Sequence, residues 1–171
     1  MINLKFSILI FLLSLTGYTQ NQNFEYKITD NFFPERKELK GEIIEWGTLE
    51  VPEDWNNING KKVELAVAKI RSLNQKFKKD PIIFIQGGPG GSSLNSIGRW
   101  LVHPLRQQSD IILIDLRGTG FSKPSLCPNL GNSFLEILAK NQSKEQDEKD
   151  KISAALECKS DLIQRGINLS A

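Results

Sequence analysis

The run Ile82-Ile83-Phe84-Ile85 has no polar interruption and breaks at once into Gln86-Gly87-Gly88-Pro89-Gly90-Gly91-Ser92-Ser93. Apolar residues without alternation predict a strand covered on both faces, as in a parallel sheet between helices. The pattern recurs at Ile111-Ile112-Leu113-Ile114, which runs into Asp115-Leu116-Arg117-Gly118-Thr119-Gly120-Phe121-Ser122. Upstream, residues 42 to 51 read as a strand stopped by Pro52. Lys62 to Ile70 alternates, with apolar Val63, Leu65 and Val67, and predicts a half-exposed strand. Asn59-Gly60 between them is a type I′ hairpin signal, so this pair is expected to be antiparallel. A parallel connection from 82–85 to 111–114 needs a crossover. Leu94, Ile97, Trp100, Leu101 and Leu105 supply helical spacing for it over 94–108, with Gly98 and Pro104 as weak points. Ser133-x-x-Glu136 and Ser143-x-x-Gln146 resemble capping boxes and predict two more helices. The second runs past Ile152, Leu156 and Ile163 to Gly166, a good residue for a helix end. Residues 21–41 show no clear period and read as a lead-in to an α/β domain over 42–171.

The amino terminus differs in character. Lys5 precedes an apolar stretch from Phe6 to Leu15, and small or polar Thr16-Gly17-Tyr18-Thr19-Gln20 follow. That order reads as a secretory signal peptide over 1–20, because about ten apolar residues fall short of the roughly twenty that span a bilayer. The chain is therefore expected to be secreted or periplasmic, without a stable membrane anchor. No cysteine follows the apolar run to accept a lipid. Export bears on Cys127 and Cys158, since an even pair in an oxidising compartment can form a bridge; free buried thiols are the alternative. Two thiols and the single His103 are too few for a usual zinc site, and no metal or other cofactor is expected. With 22 Lys+Arg against 20 Asp+Glu the net charge is +2, too small to imply a nucleic-acid partner.

The candidate chemistry lies in the two glycine loops. Gly87, Gly88, Gly90 and Gly91 leave their N–H groups unshielded by side chains, so an anionic oxygen can approach the main chain. Neither a Gly-x-x-x-x-Gly-Lys-Ser/Thr nor a Gly-x-Gly-x-x-Gly follows either strand, which argues against a phosphate site. Gly87-Gly88-Pro89-Gly90 followed by Asp115-Leu116-Arg117-Gly118-Thr119-Gly120-Phe121-Ser122 resembles the α/β-hydrolase superfamily, in its prolyl iminopeptidase and tripeptidyl aminopeptidase branch. Gly47-Thr48-Leu49-Glu50-Val51-Pro52-Glu53-Asp54-Trp55 is similar to the opening strand of secreted members, so the likeness covers about residues 42 to 130. It implies an antiparallel first hairpin, then parallel strands with crossover helices. It also implies an oxyanion hole using the N–H of Gly88, or else Gly87, toward a peptide or small acyl substrate. Gln86 stands where many of those relatives have His.

Acyl transfer also needs a nucleophile, a base and a group that orients the base. No serine sits in Gly-x-Ser-x-Gly: Ser92 has Gly90 before it but Leu94 after, and Ser122 has Gly120 but then Pro124. His103 lies before the strand at 111–114, whereas the superfamily order puts His last, so it reads as a packing or surface residue. Asp115 and Arg117 read as supports that lock their loop. The expectation is an amino-terminal portion of a serine aminopeptidase, incomplete and inactive by itself, with its catalytic triad beyond Ala171 and Ile82 to Ile85 left as a bare edge. Two alternatives are a serine carboxypeptidase, whose Gly-Gly-Pro-Gly-Cys-Ser-Ser loop resembles residues 87–93 with Gly91 in place of cysteine, and a non-catalytic binding domain.

Overall fold

The computed structural model describes residues 24–76, 79–88 and 90–170. Residues 1–20, which the sequence reads as a signal peptide, lie outside them. Five strands form one mixed sheet among the described residues: β1 (Glu25–Ile28), β2 (Ile44–Pro52), β3 (Lys62–Ile70), β4 (Lys79–Phe84) and β5 (Ser109–Ile114), in the spatial order β1-β2-β3-β5-β4. Three α-helices accompany them, α1 (Ile97–Leu101), α2 (Leu130–Leu138) and α3 (Lys144–Gln164).

β2 and β3 pair antiparallel in unbroken register from Ile44 opposite Ile70 to Pro52 opposite Lys62. The turn between them is not the type I′ turn that Asn59-Gly60 suggested, because neither residue has positive φ. Instead nine residues close through two successive turns, Asn57 N–H to Asp54 O and Gly60 N–H to Asn57 O, with Glu53 N–H reaching Lys61 O. β1 adds antiparallel to the outer edge of β2, from the stretch that showed no period. Phe24-Glu25-Tyr26-Lys27-Ile28 does alternate, but the run is short and every strand position stays exposed.

The core lies where β3, β5 and the crossover meet. Ala66, Ala68 and Ile70 of β3 face Ile111 and Leu113 of β5, with Leu94, Ile97, Trp100 and Leu101 packed above them. The main cluster takes the parity of β3 that carries two alanines, but Val63 and Val67 of the opposite parity are buried as well, so β3 is covered on both faces and is not the half-exposed strand its alternation suggested. Phe33 and Leu39 close the cluster from the amino-terminal side, so part of the lead-in is core. Each fully buried leucine or isoleucine here is worth about 1.5–3 kcal/mol, and each alanine methyl less.

The crossover is not one helix. A 3-10 turn (Leu94–Ser96) runs into α1, and a second 3-10 turn (Pro104–Gln107) follows after a break at Val102-His103. Pro104 has no N–H to continue the helix. Arg106 then takes the role of a bolt: buried, it donates to Leu101 O at 2.9 Å, to Arg71 O at 3.0 Å and to the Glu42 carboxylate. β4 is an edge strand, paired among the described residues only with β5. Ile82 and Phe84 face the core, but Ile83 and Ile85 are 58% and 49% exposed, so the expected covering of both faces is absent.

α2 begins at Leu130, three residues before the capping-box serine. Ser133 lies inside the helix and donates to Asn129 O. α3 starts as its sequence indicates, with the Ser143 hydroxyl accepting from Gln146 N–H. It ends at Gly166, φ 68°, where Gly166 N–H bonds Ile163 O and Ile167 N–H bonds Leu162 O. That pattern is a Schellman motif. A Cys127–Cys158 disulfide with Cα atoms 5.8 Å apart ties the middle of α3 to the residues just before α2.

Candidate functional site

Strand directions decide where the site falls. β4 runs parallel to β5, β3 antiparallel to β5, and β2 antiparallel to β3. β2, β4 and β5 therefore point the same way, and the loops that follow them share the carboxyl edge of the sheet. In open α/β sheets that edge is where ligands bind. Phe84 sits opposite Leu113, so the glycine loop after β4 and the Asp115 loop after β5 leave adjacent strands at nearly the same level.

Asp115 joins the two loops. Its side chain is fully buried, and it accepts from Ser92 Oγ at 2.9 Å, from Leu94 N–H at 3.1 Å and from Phe121 N–H at 3.0 Å. A carboxylate has room for several donors, and each charge-assisted bond is stronger than a neutral one. Gly120 is required by that arrangement: at φ 51° a Cβ there would stand 1.9 Å from Asp115 Oδ2. Ser122 is buried, donating to Asp115 O at 2.7 Å and accepting from Ala66 N–H at 2.9 Å. Arg117 donates to Glu53 O at 2.7 Å and so fastens the second loop to the turn after β2. Both Asp115 and Arg117 hold backbone in place.

Gly87 and Gly88 lie on the exposed rim of the edge. Among the described residues their N–H groups donate to no acceptor. The loop is tight at Gly88, where a Cβ would meet Gly91 N at 3.1 Å and Gly90 N at 3.4 Å. Two main-chain donors at the carboxyl edge, on a braced loop, can accept a negatively charged oxygen. Among the described residues, the groups that would complete acyl transfer are not beside them. Ser92 Oγ is bound to the Asp115 carboxylate, and Ser122 is sealed beneath it. His103 stacks on Trp100 with ring centroids 4.7 Å apart, and its Nδ1 accepts from Leu105 N–H. Among the described residues no hydrogen bond joins His103 to a serine, and no group of three or more His, Cys, Asp or Glu could hold a metal ion.

Two features escaped the sequence. Ser93 is buried between the loops, accepting from Gln86 N–H and donating to Ile114 O. A serine pair directly after a glycine loop was the available signal. Glu53 lines a cavity of about 150 Å³ with Val63, Arg117, Pro124, Leu126 and Asn168. One carboxylate oxygen of Glu53 accepts from Asn168 N–H, a contact over 115 residues that no local pattern announces.

Residues 80–152 match the family model of the alpha/beta hydrolase fold. The match supports the α/β-hydrolase superfamily. It begins at β4 and takes in both glycine loops, α2 and the first part of α3, so the α/β-hydrolase likeness rests on the very segments that build the candidate site. The mixed five-stranded sheet with its three helices is consistent with a partial α/β fold. No curated protein matches the chain.

Proposed function

We propose that this chain supplies the oxyanion loop of an exported serine hydrolase, a peptidase that releases amino-terminal residues or short peptides. The observation that carries the proposal is the pair of unspent N–H groups on Gly87 and Gly88, held at the carboxyl edge of an α/β-hydrolase segment. Gly88 is the preferred donor. Its fixed dipole meets charge that exists only as the substrate carbonyl becomes tetrahedral, and one such donor is typically worth about 3–4 kcal/mol of transition-state stabilisation. The nucleophile, its histidine and the acid are carried outside residues 1–171. The peptidase reading is supported by the resemblance of the two motifs, Gly87-Gly88-Pro89-Gly90 and then Asp115 to Ser122, to the aminopeptidase branch of the superfamily; the export reading is supported by the basic, apolar and small residues of 1–20.

A fluorophosphonate probe and an aminoacyl arylamide decide the matter. Residues 1–171 neither label nor hydrolyse, whereas the chain read on past Ala171 in its coding sequence labels on one Gly-x-Ser-x-Gly serine and cleaves the arylamide. Stoichiometric labelling of Ser92 or Ser122 in residues 1–171 overturns the proposal. A continued chain that does neither leaves a non-catalytic domain.

A further inference from the structure

β4 and β5 part company at the point where their ladder would otherwise continue. Counting on from Phe84 opposite Leu113, Gln86 falls opposite Asp115, and a parallel ladder bond from its N–H to β5 would end on Ile114 O. That bond is not made. The Ser93 hydroxyl occupies the gap, accepting from Gln86 N–H at 2.9 Å and donating to Ile114 O at 2.6 Å. One side chain from the far end of the glycine loop thus replaces a ladder bond at its near end. Ser93 is 1% exposed, so the bridging hydroxyl is shielded from water, while Gln86 and Ile114 on either side of it are half-buried. The neighbouring Ser92 adds a second tie through Asp115, whose carboxylate also holds Leu94 N–H at the start of the crossover.

From this geometry we infer that Ser93 is the positioning residue of the oxyanion loop. It ties the two ends of the glycine loop, Gln86 and Ser93, to each other and to β5, and so sets where the Gly88 N–H points. The inference rests on the proposed hydrolase function for its catalytic consequence, but the clamp is a property of this chain alone. Ser93 touches no substrate; it acts through the loop. A donor must be held within about 0.5 Å of its productive place, and a misplacement of about 1 Å can cost a hundredfold in rate.

Two measurements on Ser93→Ala test it. In the active, continued chain kcat falls about 10- to 100-fold while KM stays within about twofold, because the displaced donor serves the transition state. A peptide aldehyde, which forms a tetrahedral adduct, loses affinity by the same factor. In residues 1–171 amide hydrogen exchange of Gln86 speeds up by at least about tenfold, since its acceptor is gone, while the β2–β3 amides keep their rates. Normal kcat and aldehyde affinity overturn the positioning role, and unchanged Gln86 exchange overturns the clamp. If Ser93→Ala does not fold, Ser93→Thr keeps the hydroxyl and must keep Gln86 protected; loss of protection there sinks the inference. A wild-type chain that hydrolyses nothing removes the hydrolase proposal, and the exchange measurement then judges the clamp by itself.

Discussion

Replacing Asp115 by asparagine keeps the shape of the side chain and changes one acceptor into a donor. In the native loop both oxygens are in use, Oδ1 toward Ser92 Oγ and Leu94 N–H, Oδ2 toward Phe121 N–H at 3.0 Å. Whichever way the amide is turned, its NH2 faces a main-chain N–H that is buried or partly buried. That donor loses its acceptor, which costs about 1–3 kcal/mol, and the bonds that survive are no longer charge-assisted. The expected destabilisation is about 2–4 kcal/mol for Asp115→Asn and more for Asp115→Ala, which abandons every donor at once. Ser92→Ala removes one charge-assisted donor of the buried carboxylate and the acceptor of Asn95 N–H, and should cost about 1.5–3 kcal/mol. Against a typical total of roughly 5–15 kcal/mol, the asparagine variant loses a large fraction of its stability. Urea titration of residues 1–171 followed by far-ultraviolet circular dichroism, with the disulfide intact, reads the change as a lower midpoint at unchanged slope. An asparagine variant within about 0.5 kcal/mol of wild type would show that the carboxylate does not join the loops.

The disulfide closes a span of 31 residues, so Cys127→Ala with Cys158→Ala should lower stability by roughly 3–4 kcal/mol on the chain-entropy model, checked by the same titration. In the continued chain Gly88→Val places a branched side chain against Gly91 N and Gly90 N; turnover should fall about 100- to 1,000-fold with little change in substrate binding. A folded variant with near-normal turnover would show that the loop is only a turn. Expressed in a secreting host, the mature chain should begin near Gln20, and amino-terminal sequencing that still finds Met1 in the exported protein would reject the signal peptide.

The two strand-to-glycine-loop segments were legible in the sequence. Ile82 to Ser93 and Ile111 to Ser122 announce themselves because a strand that stops in glycines is rare and locally encoded. The α3 start at Ser143 and its end at Gly166 were equally readable, since a cap is made within four residues of the group it serves. Tertiary structure decided the rest. It made Ala66 and Ala68 the core face of β3, because register is fixed by partners on β2 and β5 and not by the size of the residues themselves. It drew the short stretch Glu25–Ile28 into the sheet as β1 by pairing with β2, and it left Ile83 and Ile85 exposed because coverage of a strand depends on its neighbours. It also turned Ser92, Ser93 and Asp115 into one clamp. Sequence displays which donors and acceptors exist; only the parallel approach of β4 and β5 brings residues 21 or more positions apart within hydrogen-bond reach.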